Sequence, residues 1–194
     1  MPCSFCNSNN HTSKNCKLEK LISKDIKLRV GNLMEQFAEN YIRCNKCNHK
    51  MTMLNNHAPS LDLVCTGCQS KFEVKSKCLS VSNLPQDLVI NHGNYNLYKQ
   101  RQSQNLNFII IIYGVDRKSK LITIKKVFIV PNDIIVNTNY FIVEQNTTNR
   151  LSTIYINNHY IFKNITNNIF TYNLKPFVDQ KIIEYRRQLQ SHKN

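Results

Sequence analysis

Four cysteines in two pairs constrain this chain more than any other feature. Cys44-x2-Cys47 and Cys65-x2-Cys68 are separated by seventeen residues. Two thiolates at that spacing reach one ion, and two such pairs close a tetrahedral shell, so a structural zinc site is expected. His49 and His57 lie between the pairs. Four thiolates already complete the shell, so both histidines are expected at the surface.

The segment around the second pair carries another signal. Asp62 stands three residues before Cys65, and Phe72-Glu73-Val74-Lys75 follows Cys68. Alternating apolar and charged residues read as a half-buried strand, with Glu73 and Lys75 on one face and Val74 on the other. An acid followed by Glu-x-Lys is the set of groups with which metal-dependent nucleases work. Carboxylate oxygens are hard ligands for Mg2+ or Mn2+, and a lysine can orient the attacking water or, with its pKa lowered by the nearby ion, take its proton as an amine. A lone Glu-x-Lys on an exposed strand means nothing; the preceding acid and the charge of the chain give this one weight.

Lys and Arg number 26 against 12 Asp and Glu, a formal net charge of +14. Such an excess favours a polyanionic partner, because surface cations displace the counterions condensed on phosphates. A membrane surface is negative too, so charge alone does not choose between it and nucleic acid. No segment approaches the roughly 18 apolar residues of a spanning helix, and the partner expected is nucleic acid, not a membrane. Six of the eight cysteines sit in Cys-x2-Cys pairs. That is metal-ligand spacing, so we expect thiolates in a reducing intracellular compartment, without secretion.

Along the chain, Cys3-x2-Cys6-x4-His11-x4-Cys16 has the spacing of a zinc knuckle, a second structural zinc site that would contact single-stranded nucleic acid. A metal-clamped tail that binds protein or nothing is the plainer alternative. Leu18 to Ile42 shows helical periodicity, with a break expected at Gly31 and a second helix capped by Asn32. Glu35 and Glu39 lie one turn apart and share a face. Glu35 is either a solvated helix residue or a further acid facing the catalytic metal. Residues 78 to 107 are polar; a helix beginning near Asn94 would present Tyr95, Lys99 and Arg101 to nucleic acid, and Lys77 is a further candidate contact. Phe108 to Tyr113 reads as a central strand covered on both faces. Leu121 to Val130 reads as its hairpin partner, Phe141 to Glu144 and Thr153 to Ile156 as weaker strands, and Leu174 to Gln190 as a basic helix.

With those residues in view, the chain resembles the Dam-replacing, DpnI-type family of restriction endonucleases. That family inserts a four-cysteine ribbon into a PD-(D/E)xK core. The resemblance rests on Asp62 before Cys65 and on Glu73-Val74-Lys75-Ser76-Lys77 after Cys68. It continues through Ile90 to Tyr95, the strand ending at Tyr113, Phe128 to Pro131, and Glu35 with Phe37-Ala38, covering roughly residues 25 to 185. No counterpart of the family's methyl-reading winged helix is expected within these residues, and the N-terminal knuckle is an addition to the family pattern. The resemblance implies cleavage chemistry more directly than recognition of a methylated site. It also implies that the Val74 carbonyl joins Asp62 and Glu73 around the catalytic ion.

The expected fold is α/β, a restriction-endonuclease-like PD-(D/E)xK core of mixed sheet flanked by helices. Residues 18–194 would form the nuclease domain, with the ribbon at 44–68, and residues 1–17 the knuckle. The expected function is Mg2+- or Mn2+-dependent hydrolysis of DNA, with Asp62, Glu73, Lys75 and Glu35 as the catalytic set. DNA is the expected partner, joined by single-stranded nucleic acid at the knuckle, and a homodimer would serve two strands. A non-catalytic zinc protein that binds nucleic acid and an RNA-directed nuclease remain open alternatives.

Overall fold

The computed structural model describes residues 17–54, 61–79, 88–94, 105–116, 118–137, 141–145, 151–156, 165 and 170–191. The proposed knuckle ligands Cys3, Cys6, His11 and Cys16 lie outside them, as do His57, Tyr95, Lys99 and Arg101. The chain divides into two compact units. The smaller comprises Met1–Leu33, Asp116–Ile122 and Thr171–Asn194; the larger comprises Met34–Val115 and Thr123–Phe170.

The first helix, α1, runs unbroken from Lys17 to Tyr41. The break expected at Gly31 does not occur. Val30, Leu33, Met34, Phe37 and Ala38 are all buried, so one apolar stripe continues past the glycine. A glycine within a helix costs about 1 kcal/mol relative to alanine. Burying a single large apolar side chain is worth about 1.5–3 kcal/mol, so the stripe prevails.

In the larger unit, β1 (Met51–Met53), β2 (Leu63–Cys65), β3 (Lys71–Cys78), β5 (Leu106–Asp116) and β6 (Leu121–Val130) are neighbours, in that order, in one sheet. The pairs β1–β2 and β2–β3 are antiparallel, whereas β3–β5 is parallel, with Glu73 opposite Phe108 and Lys75 opposite Ile110. A second sheet has the order β4 (Leu88–Asn94), β8 (Leu151–Ile156), β7 (Phe141–Gln145). A short helix, α2 (Asn132–Asn137), follows β6. This is the mixed α/β architecture that the sequence led us to expect.

Alternate residues of β5 (Leu106, Phe108, Ile110, Ile112) form a hydrophobic core with Phe128 and Val130 of β6 and Leu88, Ile154 and Ile156 of the second sheet. Ile109 and Ile111, on the opposite face of β5, are equally buried. The apolar run is therefore a central strand covered on both sides. Buried Asn107 fixes where the strand begins. Its amide nitrogen donates to the Lys71 carbonyl (2.9 Å), and its oxygen accepts from the Asn132 amide (3.1 Å), tying the starts of β3, β5 and α2 together. The C-terminal half of α1 joins an aromatic cluster, with the Phe37 and Tyr41 rings 4.9 and 4.5 Å from that of Phe170.

In the smaller unit, β9 (Phe170–Asn173) lies beside the start of β6 and leads into α3 (Lys175–Ser191). The Tyr185 hydroxyl donates to Asp25 at 2.8 Å, linking α3 to α1.

Residues 88–94, within the segment read as polar, form β4, which pairs with β8 from Leu88↔Ile156 onward; the residues after Asn94 expected to be helical lie outside the described ones. One further reading is corrected. Strand β3 is not half-buried over its first half, since Phe72, Glu73 and Val74 are all buried.

Candidate active site and zinc clip

The two cysteine pairs fold into two turns with nearly the same hydrogen bonds. The Asn48 amide donates to the Cys44 carbonyl (2.9 Å) and that of Cys44 to the His49 carbonyl (3.0 Å). In the second turn Gln69 donates to Cys65 (3.1 Å) and Cys65 to Ser70 (2.9 Å). Asn48 and Gln69, each just after the second cysteine of its pair, take left-handed φ values of 59° and 58°. The β1–β2 pairing, with Met51 opposite Cys65, brings the turns together.

All four sulfurs lie within 4.8 Å of one another, with Cys44–Cys68 at 3.5 Å and Cys47–Cys65 at 3.3 Å. A zinc tetrahedron with bonds of about 2.3 Å has edges of about 3.8 Å, so this cluster can hold zinc. Burial pushes the Cys44 thiol up to about 12. Hydrogen bonds from the Ser70 hydroxyl and amide bring that of Cys68 down to about 6. A metal would therefore displace a proton from Cys44 on binding. His49 is not a ligand. Its Nδ1 is 2.9 Å from the Cys47 carbonyl, an acceptor only, so that nitrogen donates. Gly67 is required beside it, because a Cβ there would lie 2.6 Å from His49 Cγ.

Asp62 sits where the clip meets β3. Its amide donates to the Phe72 carbonyl (3.1 Å), and its carbonyl accepts from Leu54 (3.2 Å). Its carboxylate accepts from the Val74 amide at 2.7 Å. Backbone and side chain are thus both pinned, with the carboxylate held at the middle of Glu73-Val74-Lys75. Glu73 is fully buried, and Lys75 Nζ lies 2.6 Å from its Oε1, so the two side chains share a face as the alternation predicts.

Glu35 reaches the same group from α1. Burial, and then the negative charge of Asp62, hold its carboxyl above the ordinary range, while the Lys75 ammonium pulls it partly back. Glu35 is thus within electrostatic reach of both Asp62 and Lys75, while Lys75 is paired with Glu73. Lys77 lies two residues beyond Lys75 on the same strand, half-buried. One turn beyond Glu35, Glu39 accepts from the Met53 amide (2.9 Å) and so fastens α1 to β1. The sequence placed Glu39 on the face of Glu35 but gave no sign of this partner.

With these groups in place, comparison with known families decides the lineage. The profile of the Dam-replacing family (DpnI) matches residues 11–157. The chain belongs to the Dam-replacing family. The matched span includes all four clip cysteines together with Glu35, Asp62, Glu73 and Lys75. No curated protein gives a significant match. Membership in the Dam-replacing family makes a restriction-endonuclease-like nuclease the functional class of this chain.

Proposed function

We propose that this chain is a divalent-metal-dependent endonuclease that hydrolyses phosphodiester bonds in DNA. The observation carrying this reading is the convergence of Asp62, Glu73, Lys75 and Glu35 beside a four-thiolate clip. Asp62 and Glu73 would hold Mg2+ or Mn2+, with the Val74 carbonyl as a further oxygen ligand. The bound ion would supply Lewis acidity toward the scissile phosphate and its leaving oxygen.

The residues of the chain do the rest. Glu73 offers a carboxylate that water cannot screen, because it is wholly buried. The Val74 amide keeps the Asp62 carboxylate from rotating away. Lys75, partly exposed where Glu73 is not, presents its side-chain nitrogen at the edge of the cluster, where it can orient a water as an ammonium or, once deprotonated, accept its proton as an amine. Glu35 would face the same ion from α1, where its carboxyl, held above the ordinary range, is harder to ionise in the absence of a cation. The zinc clip would hold Asp62 in register, since only two residues separate it from Cys65.

Incubating plasmid DNA, methylated and unmethylated, with the zinc-loaded chain tests the reading directly. Nicked or linear product should require Mg2+ or Mn2+ and disappear in Asp62→Asn. Cleavage by that variant at the wild-type rate would refute the assignment. Parallel RNA and single-stranded DNA substrates separate a DNA enzyme from an RNA-directed one.

A further inference from the structure

We infer that a groove between the end of α1 and the zinc clip is a second phosphate site, one that grips the DNA backbone away from the acid cluster. The inference rests on DNA being the substrate class. The groove, about 520 Å3, is lined by Glu39, Asn40, Arg43, His49, Lys50 and Thr52 among others. Its organising feature is an isolated antiparallel bridge in which Arg43 is paired with Lys50. Residues facing each other across such a bridge project to the same side, so two cations are set next to each other.

Like charges directly opposite one another destabilise a strand pair. The usual remedy is an interleaved carboxylate, and among the described residues neither Arg43 nor Lys50 forms an ion pair. Glu39, the acid in the lining, already accepts from the Met53 amide. The Arg43 guanidinium and the Lys50 backbone are also held in place. The Arg43 guanidinium is anchored on the Asn40 and Ile42 carbonyls at 3.5 and 3.3 Å. The Lys50 carbonyl accepts from both the amide and the hydroxyl of Thr66, each at 3.0 Å. An anchored guanidinium beside an exposed ammonium, neither of them ion-paired among the described residues, is suited to phosphate.

The location selects a nucleic-acid phosphate over a free one. Glu39 is one turn from Glu35, about 6 Å along the helix axis. A strand whose scissile phosphate lies at Glu35, Asp62 and Glu73 therefore carries neighbouring phosphates toward Arg43 and Lys50. The groove would fix the register of the strand and take no part in bond breaking.

Fluorescence anisotropy of a labelled duplex, with the zinc-loaded full chain and no added Mg2+, tests this without cleavage. The double variant Arg43→Gln/Lys50→Gln is compared with Lys20→Gln/Lys118→Gln, which removes the same charge elsewhere, across 50–200 mM KCl. Removing one cation that neutralises a phosphate lowers the slope of log affinity against log salt by about 0.9. The groove pair should lose roughly one to two units of slope and about tenfold or more in affinity at 0.1 M salt, well beyond the control pair. Equal slopes and affinities for the two pairs would overturn the proposal, as would a loss seen on anionic vesicles but not on DNA. Arg43 also caps α1, so Lys50→Gln alone, at an exposed side chain, guards against misfolding and should lower the slope by about 0.9. If the wild type fails to cut DNA while groove variants still lose affinity, the nuclease reading falls and the phosphate site stands.

Discussion

Each half of the zinc clip repeats the other, whereas the acid cluster beside it has no internal repetition. In the clip, two short turns with different sequences reach the same geometry, down to left-handed φ values of 59° and 58° at Asn48 and Gln69. Local hydrogen bonds within each turn set that geometry, and one strand pairing joins the halves. The acid cluster draws Glu35 from a helix, Asp62 from the end of the clip, and Glu73 and Lys75 from a strand running parallel to β5. Repeated local geometry suits a site that only has to stay closed. Converging groups from separate elements suit one that must keep oxygens available to an ion and a substrate.

The comparison can be broken by disabling each region separately. The largest effect should follow loss of zinc. Apparent zinc-binding energies of about 10–16 kcal/mol in small zinc modules rival the whole stability of a domain. Cys65→Ser should therefore lower Tm by about 10–20 °C, remove clip zinc on metal analysis, and abolish cleavage. Full stability in that variant would show that the clip does not hold the fold.

Asp62→Asn should act on the other region alone. It keeps an oxygen for the Val74 amide but withdraws a charged ligand. Cleavage should fall by about a thousandfold, the equivalent of roughly 4 kcal/mol, while Tm and zinc content remain near wild type. A collapse in stability would mean that Asp62 belongs structurally to the clip.

Glu35→Gln sharpens the distinction through pH. The Glu35 carboxyl is raised by burial and by Asp62. The folded chain without a divalent ion therefore binds a proton that the unfolded chain has released, and its stability falls as pH rises through the raised value. The glutamine variant should be the more stable protein near neutral pH without added Mg2+. That advantage should vanish once pH drops below the ordinary carboxylate range. Melting curves across pH, with and without Mg2+, read this directly; a pH-independent difference would remove Glu35 from the cluster.

The smallest effects lie within the clip. Left-handed backbone costs most residues about 1–2 kcal/mol, and asparagine tolerates it better than glutamine. Gln69→Gly should raise stability by up to about 1 kcal/mol, and Asn48→Gly by less, as read from denaturant melts. Equal gains would show that the strain follows φ alone, whichever residue carries it.

What could be read from the sequence follows the same division. Cysteine spacing announces the clip because ligand geometry is local, and Glu-x-Lys announces its shared face because strand periodicity is local. Burial of Glu73 was not legible, since it depends on how neighbouring elements cover β3. Glu35 could be named only as one of two readings, because its approach to Asp62 depends on how α1 docks. The unbroken passage of α1 through Gly31 was hidden for a related reason: packing along the stripe outweighs a local propensity. Asn107 and the Arg43–Lys50 bridge gave no signal at all, since each has meaning only once a distant partner is in place.

The central claim is that Asp62, Glu73 and Glu35 surround one divalent cation beside an intact zinc clip. Titrating Mn2+ into the zinc-loaded chain, followed by the paramagnetic signal of the free ion, tests it most directly. The account predicts saturable binding in the wild type, with affinity at least tenfold weaker in Asp62→Asn and zinc content unchanged. Identical Mn2+ binding by the two proteins would contradict it.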